Sequence, residues 1–231
     1  PLDAMRTTMR RGATPAVLRL YDPTEADRTY QTGAAAVVLV RDEGDPAVVD
    51  TTMAIVAEEC RRAGAEPLDA SLVDRWMAHR NDVSALEALI SKGYVVDTME
   101  VAGLWTQLPA IYDAAIAALL GVEGTMAASA HQSHSYVDGG CLYFTFAGKP
   151  DPDDRDRYYR ALWDAGQRAV LANGGALSHH HGVGLNRSRF VREALGPAFD
   201  VLLAMKGALD PNGILNPGKL GLPSPFGDVG F

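Results

Sequence analysis

Three imidazoles stand in a row at His179, His180 and His181, preceded by Ser178 and followed by Gly182-Val183-Gly184. Histidine is the side chain whose ordinary proton affinity lies nearest neutrality, so this run offers proton acceptors, proton donors or metal ligands at working pH. If the segment is extended, alternation puts His179 and His181 on one face and His180 on the other, leaving at most two for one site. Gly182 and Gly184 let the backbone turn sharply and approach a flat ligand closely. Packing accounts for one isolated histidine more readily than for three before a glycine turn, so the run is read as enzymatic.

Two other side chains could join such chemistry. Tyr136 precedes Val137-Asp138-Gly139-Gly140, a turn sequence, and can either hand on a proton or simply bury its ring and solvate its hydroxyl. Arg80 follows Trp76 by four residues, one helical turn, so it can hold an anion bidentately or merely stack on the indole. A zinc site on the imidazoles is disfavoured, because adjacent strand residues point oppositely and no carboxylate or cysteine is spaced to complete four ligands.

The elements that must position these groups follow from pattern. Ala35 to Val40 is a short apolar run suited to a buried strand, and Asp45-Pro46 opens a helix with Val49, Met53, Val56 and Cys60 at helical spacing, ended by Gly64. A similar unit pairs a strand over Tyr94 to Val101 with a helix carrying Leu108, Ile111, Ala115 and Leu119. Gly124 to Gly148 reads as a hairpin turning at 137–140. Asp151-Pro152 caps a helix with Tyr158, Leu162, Ala165, Ala169 and Ala172 as its buried stripe, ended by Asn173-Gly174-Gly175 just before the histidines. Helical segments around Phe190 to Leu195 and Phe199 to Met205 break at Gly196-Pro197, and Gly221 to Phe231 is expected to be a loose tail. This order lacks a repeated βαβ cadence, so the fold class expected is α+β, with helices packed on one face of an antiparallel sheet and further helices at the C-terminus.

Bulk properties narrow the function classes. The 231 residues are 47% hydrophobic and 22% charged with a formal net charge of −8, which fits a globular protein and excludes a basic nucleic-acid-binding surface. Arg10-Arg11 and Arg61-Arg62 are isolated pairs. Cys60 and Cys141 make no disulfide framework, which points to a reducing, cytoplasmic setting. No Walker pattern or strand-linked GxGxxG is present. The start at Pro1, inside a helical pattern, reads as a cut from something longer.

The blocks Leu171-Ala172-Asn173-Gly174-Gly175-Ala176-Leu177-Ser178-His179-His180-His181-Gly182-Val183-Gly184 and Ser135-Tyr136-Val137-Asp138-Gly139-Gly140-Cys141-Leu142-Tyr143-Phe144 resemble the C-terminal domain of FAD-linked oxidases of the vanillyl-alcohol-oxidase type. Within that family the likeness is to the alkyldihydroxyacetonephosphate synthases. Fainter likeness runs through 16–22, 76–82 and 210–217. The resemblance implies that residues 1–231 form a ferredoxin-like cap or substrate domain, with FAD held mainly by an N-terminal FAD-binding domain that precedes it in the family. It implies exchange of an acyl for an alkyl group in ether-lipid synthesis through a flavin adduct, with a lipid-like substrate; an isolated cap fragment would be inactive. By the same token Tyr136, His180, His181 and Arg80 would be catalytic, and His179, Gly182, Gly184, Arg19 and Asn216 would face the cofactor. Peripheral membrane contact and a homodimer in the intact enzyme are compatible with it.

Departures point to the hydroxy-acid dehydrogenase branch as the alternative: Leu185 stands where the synthases usually have lysine, and Asn216-Pro217-Gly218-Lys219-Leu220 looks like that branch. That branch often binds a divalent metal through a His-x-Gly-Asp-Gly-x-x-His segment and a Glu-His pair; here the second histidine is lacking and His180 replaces the glutamate, so no metal is expected. A stand-alone small-ligand binding module is the remaining alternative, which the histidine run argues against.

Overall fold

A computed structural model describes residues 1–227. A five-stranded, wholly antiparallel sheet organises the chain: β1 (Val17–Tyr21), β2 (Val37–Arg41), β3 (Val95–Leu104), β4 (Thr125–Ser135) and β5 (Gly139–Gly148), in the spatial order β2-β1-β4-β5-β3. Beyond β3, Ala176 bridges antiparallel to Ala102. With α6 (Leu108–Leu120) between β3 and β4, and α7 (Arg155–Ala172) between β5 and that bridge, residues 95–176 trace a split βαβ unit of the ferredoxin-like kind. The α+β expectation holds. The two look-alike strand-helix units end at opposite edges of the sheet, since β2 and β3 are its outer strands.

One sheet face is apolar. Met99, Val101, Leu142, Phe144, Phe146, Ala128 and Ala130 pack against α6, α7 and α1 (Leu2–Arg10), with α3 (Pro46–Arg62) laid on α1. In α6, Leu108, Ile111, Ala115 and Leu119 are fully buried at helical spacing. Each large side chain so buried contributes roughly 1.5–3 kcal/mol. On α7 the buried stripe is Tyr158, Leu162, Trp163, Gly166, Gln167 and Val170, rotated from the alanines expected, and Ala172 is exposed. Gly166 explains the rotation: a Cβ there would lie 2.9 Å from Met99 Cε, so the helix sits directly on β3 where no side chain intervenes.

At the β1–β2 end the opposite face is covered by α2 (Pro23–Tyr30) and α4 (Ser71–His79), through Tyr21, Ala26, Tyr30, Val37, Leu39 and Trp76. The sequence reading named neither β1 nor α2, nor α5 (Ser84–Ser91). Asp45 caps α3 as expected, accepting from Ala47 N at 2.9 Å. Asp151 makes no such bond, and Pro152–Asp154 form a 3-10 turn ahead of α7. The hairpin turns at 136–138, with Gly139 and Gly140 already in β5. The C-terminal helices are α8 (Val191–Leu195) and α9 (Ala198–Leu209), separated at Gly196-Pro197. Of the expected loose tail, Leu222 packs with Phe190 and Phe199, and residues 228–231 lie outside the described residues.

Candidate active site

Strand alternation gives the second face its polar character. Thr98 and Glu100 of β3, Cys141 and Tyr143 of β5, and Ser129 and His131 of β4 alternate with the apolar set and share this face through the registers Glu100↔Tyr143 and His131↔Tyr143. A bulge between Gln132 and His134 then places His134 opposite Cys141. One extra residue reverses the alternation, so His134 joins the polar face that regular pairing would deny it. Ser133, the extra residue, bonds both neighbours: its Oγ lies 3.0 Å from His134 Nδ1 and 3.3 Å from Cys141 Sγ.

The histidine run is not a strand. Residues 177–184 form an irregular loop after the Ala176 bridge, so alternation does not separate the rings. Successive ring centroids are 5.0 Å (His179 to His180) and 4.5 Å (His180 to His181) apart, with His134 at 5.4 Å from His179 and 4.7 Å from His180. Tyr136, half exposed on the hairpin turn, sets its ring 5.2 Å from His179, and its carbonyl accepts from Trp105 Nε1 at 2.9 Å. Thus His134, His179, His180, His181 and Tyr136 form one cluster, where the extended reading allowed only two of the run.

Two buried charges beneath the loop hold it, and sequence reasoning named neither. Glu100 is fully buried; its carboxylate accepts from Ser178 Oγ at 2.8 Å, from His179 N at 2.9 Å, from His180 N at 3.3 Å and from Cys141 Sγ at 3.1 Å. Burial opposes its ionisation, but these hydrogen bonds and the charge of His181 outweigh that and bring its pKa down to about 2. Arg187, also buried, donates to Leu177 O at 2.9 Å, Gly182 O at 3.3 Å and Glu100 O at 3.2 Å. The carboxylate takes the N–H groups at the loop's start and the guanidinium takes carbonyls at both ends, leaving the rings outward.

Desolvation lowers the proton affinity of His181, partly offset by Glu100, and likewise that of His134, where His180, His179 and Arg19 add to the effect. Neutral imidazoles are therefore ready as proton acceptors. His134, Cys141, His179 and His180 offer ligand atoms within 4.8 Å of one another, so the separation expected of imidazoles and thiol does not exist. As folded, however, Cys141 is a thiol donating to Glu100, with burial pushing its pKa up to about 12.

A cavity of about 360 Å³ adjoins the cluster; His134, Ser135, Tyr136, Arg19, Trp76 and Arg80 are among the residues that line it. Arg80 ends α4 with its guanidinium 5.7 Å from the Trp76 ring centre, and Arg19 stands 5.5 Å from the same ring. The stacked arrangement considered for Arg80 is thus present, and the residue lines the cavity as well. The buried Nε of Arg19 has no partner among the described residues. Asn216 lies apart, in the turn after α9, with a left-handed backbone (φ 47°) and its carbonyl accepting from Lys219 N.

Gly182 and Gly184 adopt φ of +76° and +58°, and a Cβ on either would meet nothing within 4 Å. In this open, left-handed stretch beside exposed rings the backbone can approach a flat ligand closely. No described helix is long and apolar enough to cross a membrane.

The sequence profile of the family described as FAD linked oxidases, C-terminal domain, matches residues 2–220. The FAD-linked oxidoreductase YgcU of Escherichia coli strain K12 is 28% identical over 233 residues, covering 94% of this chain and 48% of that protein. Alkyldihydroxyacetonephosphate synthase of Trypanosoma brucei brucei is 25% identical over 255 residues, covering 96% and 41%. In fold, the chain is similar to 4-ethylphenol oxidase from Gulosibacter chungangensis, solved with isoeugenol: TM-score 0.66, 15% identity, 97% of this chain and 51% of that one. The chain spans about half the length of the curated relatives it matches.

Proposed function

Because the chain belongs to the FAD-linked oxidase C-terminal domain family, we propose that it is the substrate-binding and catalytic part of an FAD-dependent enzyme resembling alkyldihydroxyacetonephosphate synthase, exchanging the acyl group of an acylated dihydroxyacetone phosphate for an alkyl group. The observation that supports this reading is one cavity lined by His134 and Tyr136 together with Arg19 and Arg80, with the rest of the histidine cluster reached from it through the Tyr136 and His134 rings, 5.2 Å and 5.4 Å from His179.

Bound FAD, held mainly by an N-terminal domain, would supply the electrophilic and redox centre. This chain's residues then divide the remaining work. Arg80 and Arg19, both beside the Trp76 ring, bind the substrate's phosphate. His181 and His180 accept a proton beside the substrate carbonyl, and Tyr136 donates one to the departing carboxylate. His179, Gly182 and Gly184 face the cofactor, and the resemblance adds Asn216, which is not among the residues that line the cavity. No metal enters the reading, since the Cys141 thiol serves Glu100. A lipid-like substrate makes peripheral membrane contact compatible with it, and homodimerisation is left to the intact enzyme.

The second reading, a flavin-dependent dehydrogenase of a hydroxy acid or alcohol, is favoured by Leu185 and by Asn216-Pro217-Gly218-Lys219. Anaerobic mixing of the FAD-containing protein that carries this domain separates the two. The proposed exchange gives an ether product from acyl-dihydroxyacetone phosphate and a long-chain alcohol with the oxidised flavin absorbance regained and no external acceptor. Persistent bleaching by a 2-hydroxy acid, with no ether product, would reject it.

A further inference from the structure

We infer that Glu25 and His131 are positioning residues for Arg19, fixing the guanidinium so that its free edge faces the cavity. The chain of contacts starts at the N-terminus of α2. Asp22 caps that helix, accepting from Glu25 N at 2.7 Å, while its second oxygen accepts from Ala130 N at 2.6 Å and Tyr112 O–H at 3.0 Å. The cap thereby ties the helix start to β4 one residue before His131. Glu25, the third residue of the helix, does not turn back on the cap; its Oε1 lies 2.9 Å from His131 Nδ1. On the far side of the ring, His131 Nε2 lies 2.5 Å from Arg19 Nη2.

Proton accounting fixes the roles. A guanidinium has donors only, so Nε2 accepts; the ring proton then sits on Nδ1 and is donated to the carboxylate. The imidazole is clamped by Tyr143 at 5.0 Å (interplanar 20°) and Tyr21 at 5.3 Å, and both Glu25 and His131 are buried. A carboxylate in direct contact would occupy the guanidinium fork and neutralise it. An interposed neutral imidazole takes Nη2 and leaves the remaining edge of a residue that lines the cavity without a counter-charge. The use of that edge for an oxyanion rests on the proposed function; the positioning does not.

Nitrogen-15 NMR of the chain tests the positioning by itself. His131 should show the Nδ1–H tautomer, and Arg19 a resolved side-chain signal. Glu25→Ala should convert His131 to a tautomer mixture and collapse the Arg19 signal, and His131→Gln, which keeps an acceptor, should preserve that signal in a chain whose amide spectrum shows it folded. An Nε2–H tautomer in the unaltered chain, or an Arg19 signal indifferent to both Glu25→Ala and His131→Ala, would overturn the inference. In the intact enzyme His131→Ala should raise KM for the phosphate-bearing substrate about tenfold with kcat little changed, the size of one charge-assisted hydrogen bond, and His131→Gln should recover most of it. The NMR signature with no KM effect would sink the oxyanion reading and leave the positioning standing.

Discussion

The two faces of the sheet are made by the same strands and obey different rules. On β3 and β5, Met99, Val101, Leu142, Phe144 and Phe146 are sealed under helices, while Glu100, Cys141 and Tyr143, each next in sequence to one of them, build the floor of a polar cluster. The apolar face is secured by burial alone, which is non-directional and tolerant. The polar face depends on a small number of directed hydrogen bonds to buried charges, where a lost partner leaves others unsatisfied. One face carries the core of the fold, and the other carries the residues of the proposed chemistry.

The largest expected effect on stability is on the apolar face. Phe144→Ala should cost about 3–5 kcal/mol, read as a fall in the midpoint of chemical denaturation with the polar face untouched in sequence. A loss under about 1 kcal/mol would show that this face does not carry the fold.

Glu100→Gln comes next. With its pKa lowered from 4.5 to about 2 on folding, the carboxylate stabilises the fold by about 3 kcal/mol at neutral pH. Because the folded value is the depressed one, that stability is present above pH 4.5 and is lost as pH falls towards 2. The unaltered chain should therefore lose stability across that window more steeply than Glu100→Gln, measured by denaturation at fixed pH steps. Parallel acid profiles would remove Glu100 from its anchoring role.

Tyr136→Phe should have the smallest effect on stability, within about 0.5 kcal/mol, as befits a half-exposed residue whose hydroxyl has no hydrogen-bond partner among the described residues. A large loss would make Tyr136 a structural residue and blur the distinction between the faces.

Much of this division is written in residue types. The histidine run, the Gly-rich hairpin and the stripe on α6 are legible because turn glycines and helical spacing are local signals. The gathering of the histidines was not, because it depends on a loop where alternation was assumed and on a one-residue bulge at Ser133 that regular pairing hides. Glu100 left a trace: a single carboxylate inside Val95-Val96-Asp97-Thr98-Met99-Glu100-Val101 is costly to bury and needs donors. Arg187 and His131 left none, since Arg187 in Asn186-Arg187-Ser188-Arg189 reads as a surface cation and His131 as an ordinary strand residue. Long-range partners give both their places, and the segment of β1, which carries Arg19, stands out in the sequence only through resemblance and not as a strand.

His181→Ala in the intact FAD-containing enzyme tests the assignment of chemistry to the polar face most directly, with turnover and melting temperature measured on the same preparation. The ring is exposed and leaves the Glu100 anchors to the neighbouring backbone intact. Turnover should fall about 10²- to 10⁴-fold, the usual cost of a positioned acid or base, with the melting temperature within a degree or two of the parent. Turnover near that of the parent, or a loss of activity that tracks a loss of stability, would contradict the account.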